Sequence, residues 1–284
     1  MMNSKSKQFL LMVMAAVVLL ISLSANVSAK KQMLPPKESL ITEYYYQTKK
    51  PIKTWISLSN PAAKTNEDRQ IIIPKGTVVS GQPVEVKNKQ IKKIVIKSSS
   101  LSYQIKKAAI QPGYYLEHWQ DLTGDIKYSK ARFKPVKKPQ YVVPYSEGNL
   151  CLGTVPKDYP DTFASNQLTV TSDGYIELYK YDVNSGPEGF SNKPMGMAKI
   201  NKTRVNKNVC YLYYSNHVTG LNDQRVRKSG KYQYRLKVAD EDNIKTQTIW
   251  DGGKQAFVAR LYYAHYAIGN VTYYTEVGEM SLDG

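Results

Sequence analysis

From Lys231 to Val238 the chain alternates without a break. Tyr232, Tyr234, Leu236 and Val238 fall on one side, and Lys231, Gln233, Arg235 and Lys237 on the other. Period two predicts a strand with one buried and one wet face, hence an antiparallel sheet. Comparable runs predict strands over Gln167 to Thr171, Tyr175 to Tyr181, Val209 to Tyr214, Lys245 to Trp250 and Val271 to Val277. Turns are marked by Ser172-Asp173-Gly174, Ser185-Gly186-Pro187, Ser229-Gly230 and Asp251-Gly252-Gly253. Phe257 to Tyr266 fits helical and strand spacing alike; its Tyr and Val content and flanking glycines favour a strand. Many short strands with frequent turns indicate an antiparallel β-sandwich or jelly-roll-like domain over residues 141–284.

The first half of the chain, 38–111, is also β-rich. Ser39 to Gln47 reads as a short helix or an extended lead-in. Strands are expected over Ile52 to Leu58, Gln70 to Ile73, Thr77 to Ser80, Ile91 to Lys97 and Leu101 to Lys106. Pro74-Lys75-Gly76 and Gly81-Gln82-Pro83 read as turns, and Asn60 to Asp68 as a polar loop. The series Pro74-Lys75-Gly76-Thr77-Val78-Val79, Ile94-Val95-Ile96, a tip at Ser98 to Ser100, Leu101-Ser102-Tyr103-Gln104-Ile105 and a closing Lys106-Lys107-Ala108-Ala109-Ile110 resembles bacterial SH3-like domains. Ser102-Tyr103 stands where that family often carries Gly-Trp. The resemblance implies a small SH3-like barrel that binds cell-wall peptides or glycans, and it assigns no binding residue. Residues 112–140, rich in Pro, Gly and Lys, read as a basic linker. The fold class expected is therefore mainly β, an SH3-like barrel followed by the sandwich.

At the N-terminus, Lys5 and Lys7 precede an apolar run from Phe9 to Leu23, and small residues end in Val27-Ser28-Ala29. That order predicts a signal peptide over 1–29. The run is 15 residues long, whereas a spanning helix needs about 20, so cleavage is expected to leave no integral membrane span. The expected location is secreted, or peripherally held at the cell surface.

Charge changes the picture. The formal net charge is +17. Lys30 to Lys138 holds 22 Lys and Arg against 8 Asp and Glu, a net +14, while Pro139 to Gly284 holds 16 against 15. Such asymmetry points to a polyanion partner. Outside a cell that means an anionic wall polymer, anionic lipid head groups or acidic glycans rather than nucleic acid, and an anionic envelope polymer is the partner expected. The candidate polyanion contacts are Lys92, Lys93, Lys97, Lys106, Lys107, Lys130, Arg132, Lys134, Lys137 and Lys138.

Cys151 and Cys210 are the two cysteines, and an even count in an exported chain predicts one disulfide, with two free buried thiols as the alternative. In the chain-entropy approximation such a bridge contributes about 4 kcal/mol. With Cys210 and Leu212 facing inward, Tyr211 and Tyr213 face outward, and with Tyr179 and Tyr181 they form a candidate aromatic recognition strip. The histidines are scattered: His118 beside Trp119, His217 in a loop, and His265 among tyrosines, which reads as a packed core residue. A general base needs a positioned partner, and none stands nearby in the sequence. Gly-x-Ser-x-Gly, His-Glu-x-x-His and Walker-type loops are lacking. No metal site or cofactor is expected, and Asp240-Glu241-Asp242 reads as a solvated turn before it reads as a calcium site. These features favour a non-catalytic binding protein with an anionic envelope polymer and a glycan or surface protein as partners. The rival class is an envelope-active hydrolase. It requires a cleft that brings His217 or His265 beside a carboxylate, whereas a third class, a purely structural surface protein, predicts no pocket and self-association.

Overall fold

The structure is a computed structural model that describes residues 43–88, 90–116, 122–143, 149–155, 164–186, 189–251 and 256–281. The segment expected to be a signal peptide lies outside the described residues, as do His118 and Trp119. The fold is mainly β, and every strand pairing among the described residues is antiparallel.

The first half builds two sheets around one core. β1 (Tyr44–Thr48), β4 (Val78–Lys87), β5 (Gln90–Ile96), β7 (Ile126–Lys127) and β8 (Phe133–Val136) form a five-stranded sheet in the order β7-β5-β4-β1-β8. β2 (Ile52–Asn60), β3 (Thr65–Ile73) and β6 (Tyr115–Leu116) form a three-stranded one. Ile52, Thr54, Ile56 and Leu58 alternate inward along β2 while Lys53 and Trp55 face solvent. Their apolar members meet Ile71, Ile73, Val79, Ile94, Ile96 and Phe133. Burying side chains of that size removes apolar area worth roughly 1.5–3 kcal/mol each from water.

Several expectations are corrected here. The polar stretch after Asn60 turns at once, and Thr65 to Asp68 pairs with β2 as the start of β3. Gly81-Gln82-Pro83 is no turn: it stays within β4. A Cβ on Gly81 would lie 2.4 Å from the Val95 carbonyl oxygen, so glycine lets the neighbouring backbone approach. Pro83 sits at a register shift, where a missing N–H is tolerated. Leu101 to Lys106 is not a strand, because Tyr103–Lys106 forms a one-turn helix, α1. Residues 112–140, expected to link the halves, contribute β6, β7 and β8 to the first-half sheets.

The second half is a ten-stranded sheet. Its strands are β9 (Asn149–Leu152), β10 (Gln167–Val170), β11 (Tyr175–Tyr179), β12 (Gly196–Lys199), β13 (Lys202–Asn206), β14 (Val209–Tyr214), β15 (Gln224–Arg225), β16 (Tyr234–Asp251), β17 (Ala256–Ile268) and β18 (Val271–Ser281). The order is β12-β11-β10-β9-β18-β17-β16-β14-β13, with β15 beside β16. Tyr234 to Val238 and Lys245 to Trp250, expected in separate strands, merge into β16 across an irregularity between Asp240 and Ile244, while Lys231 to Gln233 lie in the turn before it. There the Asp242 N–H bonds the Asp240 carboxylate at 2.8 Å, so these acids shape a bulge. Leu150, Leu168, Ile176, Leu212, Leu236 and Tyr266 fill one core, and Cys151, Leu261, Tyr263 and Tyr274 a smaller cluster.

The expected disulfide is absent: both cysteines are free thiols. In the sheet, β18, β17 and β16 lie between β9, which carries Cys151, and β14, which carries Cys210. Four strand intervals of about 4.8 Å far exceed the roughly 7 Å between Cα atoms that a bridge spans. Cys151 also packs in the smaller cluster, while Cys210 packs against the main core.

Candidate functional site

The halves meet along a polar seam. The turn between β10 and β11 carries Ser172-Asp173-Gly174, and Gly174 takes φ +82°, a left-handed conformation that glycine adopts without a Cβ penalty. This turn presents Asp173 to the start of α1. Its carboxylate accepts the Ser102 N–H at 2.9 Å and the Ser102 hydroxyl at 2.6 Å. The Ser172 N–H and hydroxyl both donate to the Ser100 carbonyl, at 2.8 and 3.0 Å. Four residues beyond Asp173, on β11, buried Glu177 accepts the Tyr103 N–H at 2.7 Å and the Tyr179 hydroxyl at 2.9 Å. Burial pushes the Glu177 carboxyl up to about 7 even though the nearby Lys106 ammonium opposes this.

A groove of about 500 Å³ opens beside the seam. The turn from Pro74 to Val78 lines one part of it. Tyr141, Asp173, Tyr175 and Lys199 line another, with Ser102, Gln104 and Ile105 between. The Lys199 ammonium lies 4.3 Å from the Tyr175 ring centre and donates to the Asp173 carbonyl.

The same 74–77 turn belongs to a basic end of the five-stranded sheet. Backbone bonds tie three turns together there: Gly76 N–H to Thr48 carbonyl (2.8 Å), Thr48 N–H to Thr77 carbonyl (2.9 Å) and Lys49 N–H to Arg132 carbonyl (2.7 Å). They gather Lys49, Lys50, Lys75, Lys130 and Arg132, and none of the three turns contains an acidic residue. Lys134 pairs with Gln47 on the adjacent strand.

The ten candidate polyanion contacts divide. Lys107, Lys130, Lys134 and Lys137 are exposed, and Arg132 and Lys92 half-buried, with Lys92 donating to Gln90 at 2.9 Å. The others are engaged within the protein. Lys93 bridges Glu85 (3.4 Å) and Asp125 (3.3 Å). Lys97 lies 3.7 Å from Glu43, and burial lowers its ammonium below the usual lysine range. Lys138 is lowered to about 8 by burial, with Glu43 opposing. Lys106 is buried and donates to the Ser98 carbonyl at 3.0 Å. Lys49, Lys50 and Lys75 were missed because their proximity comes from three turns distant in sequence.

The aromatic strip also divides. Tyr179 is buried against Glu177, and Tyr181 packs edge-on to Phe190 at 5.6 Å. Tyr211 and Tyr213 are half-exposed neighbours on β14.

Of the histidines, His265 is buried, with Nδ1 3.2 Å from the Asn243 carbonyl, and burial lowers its ring below the ordinary value. His217 does have a partner: Asp223 lies 2.7 Å from Nδ1. That carboxylate, 1 % exposed, also accepts the Tyr214 hydroxyl at 2.8 Å and the Val218 N–H at 3.1 Å. The six-residue spacing across the loop was the available signal. The thiols do not complete a nucleophilic pair, since burial raises Cys151 to about 12 and Cys210 to about 11. Among the described residues, no group of three or more His, Cys, Asp or Glu side chains has an arrangement that holds a metal ion.

No protein-family model matches the chain, and comparison with curated proteins and with solved structures finds no match for it either.

Proposed function

We propose that this chain is an exported, non-catalytic binding protein that holds an anionic envelope polymer through the basic end of its first half, an SH3-like barrel in this reading, while its second half, a β-sandwich, presents a tyrosine-bearing face. The observation that supports it most is the convergence of Lys49, Lys50, Lys75, Lys130 and Arg132 on turns without acidic residues. Clustered like charges raise the local potential and steer polyanions in a way that dispersed lysines do not. The groove shares Lys75 with that end and adds Lys199, which extends the basic surface towards the seam. The export expectation, from the apolar run Phe9 to Leu23, makes a wall polymer or acidic glycan the ligand class rather than nucleic acid. The test is retention of the exported chain on purified cell wall against a variant with Lys49, Lys50, Lys75 and Lys130 each changed to Gln. The reading requires the variant to elute at markedly lower salt, and equal elution overturns it.

A second reading rests on His217 and Asp223. A buried carboxylate on Nδ1 orients an imidazole as it does for a general base, and the ring is half-exposed. In that reading the chain is an envelope-active hydrolase. It requires the protein to release soluble fragments from purified wall, and His217→Ala to abolish that release.

A further inference from the structure

The charge count of the second half hides a local excess. Residues 202–237 hold nine Lys and Arg against one Asp, a net +8, so the remainder of 139–284 carries seven against fourteen. That single acid is Asp223, which is buried and turned towards His217 and Tyr214. The sheet then organises the cations. Across β13, β14 and β16, register places Lys202 opposite Tyr213 and Tyr213 opposite Arg235, and in the next outward row Arg204 opposite Tyr211 and Tyr211 opposite Lys237. Since Leu212 and Leu236 point into the core, these rows occupy the outer face. Each row is a tyrosine between two cations.

We propose that this outer face of β13, β14 and β16 is a second anion-binding surface, and that it takes a linear anionic polysaccharide. The inference rests on the reading of the chain as an exported envelope-binding protein and gives its tyrosine face a ligand chemistry. The tyrosines act here less as sugar platforms than as seats for cations. The Arg235 guanidinium lies 5.1 Å from the Tyr211 ring centre. The Tyr232 ring has Lys202 at 5.9 Å and Arg227 at 6.0 Å. Such cation–π contacts hold long side chains in place before a ligand arrives. Among the described residues no carboxylate pairs with Lys202, Arg204, Arg227, Arg235 or Lys237, so their charges face outward uncompensated. Rows lie roughly 6.7 Å apart along a strand and neighbouring strands about 4.8 Å apart. A charged grid of that kind matches a chain with a carboxylate or sulfate on recurring sugar rings. Protein–protein contacts are depleted in lysine and in charge at their buried centre, whereas this face sets Lys202 and Lys237 beside its tyrosines.

The experiment measures equilibrium binding of the exported chain to polygalacturonate, chondroitin sulfate, neutral dextran and duplex DNA across a salt series. The first two separate a carboxylate from a sulfate source. One variant combines R204Q, R235Q and K237Q. The other carries Gln at Lys49, Lys50, Lys75 and Lys130, and thermal melts confirm that both fold. The inference expects the face variant to bind at least one anionic polysaccharide about tenfold or more weakly, with a shallower salt dependence by about two to three counterions. Tyr211→Phe should bind like the parent, because the ring remains, and Tyr211→Ala should weaken binding. Parent-like binding by the face variant overturns the inference, as does equal binding of dextran or tighter binding of duplex DNA. Loss confined to the front variant overturns it while leaving the proposed function standing. Loss confined to the face variant sustains it and removes the first-half site instead.

Discussion

Asp173 satisfies both polar hydrogens of Ser102, taking the backbone N–H on one carboxylate oxygen and the hydroxyl on the other, at 2.9 and 2.6 Å. The two residues belong to different halves of the chain, 71 positions apart, and Ser102 is fully buried. The contact begins α1 where the sequence pattern asked for a strand, and it fixes one border of the groove.

Asp173→Ala leaves the buried Ser102 N–H without an acceptor. Such a loss costs about 1–3 kcal/mol, and urea unfolding should register it. Asp173→Asn keeps one acceptor and should lose less. A parent-like midpoint for Asp173→Ala would mean that the seam contributes nothing to stability.

Glu177 predicts a pH dependence. Its folded-state carboxyl sits at about 7, raised by burial from 4.5. Between those values the unfolded chain releases a proton that the folded chain keeps. Stability therefore falls as pH rises through the window, by about 3 kcal/mol when complete above pH 7. Glu276, raised to about 7 by burial, acts in the same direction. Glu177→Gln should accordingly lose less stability than the parent between pH 5 and pH 8 in urea titrations. Identical losses would contradict the assignment.

Both thiols should be present in the purified protein. Mass measurement after alkylation in denaturant should show two modified cysteines, and a reductant should leave the melting temperature unchanged. In the native state reaction should be slow, because burial raises Cys151 to about 12 and Cys210 to about 11. A mass corresponding to an oxidised pair would contradict the fold of the large sheet.

Asp223 should matter more to stability than the histidine it holds. It is buried and accepts from Tyr214, Val218 and His217, so Asp223→Ala should cost about 2–3 kcal/mol. His217→Ala, at a half-exposed ring, should cost less than about 1 kcal/mol. Thermal melts of the two variants decide this.

What was legible in the sequence was local alternation. The strands at Ile52, Gln167, Tyr175, Val209 and Val271 carry period-two patterns, and they form close to the expected positions. Three features escaped because their causes are distant in sequence. α1 depends on Asp173 and Glu177, the continuity of β4 depends on the Val95 carbonyl meeting Gly81, and the free thiols depend on the order of strands in a sheet. The candidate site was legible as a charge excess but not as a surface. Lys97, Lys106 and Lys138 looked free and are engaged inside, whereas Lys49, Lys50 and Lys75 meet through turns that no spacing rule connects.

The central claim is that the basic end at Lys49, Lys50, Lys75 and Lys130 binds an anionic envelope polymer through charge. The most direct measurement is the dissociation constant for purified, soluble wall polymer as a function of salt, for the parent chain and the fourfold Gln variant. The account predicts a linear fall of log affinity with log salt, and a slope shallower by about three to four counterions in the variant. A slope near zero for the parent, or equal slopes for the two chains, would contradict it.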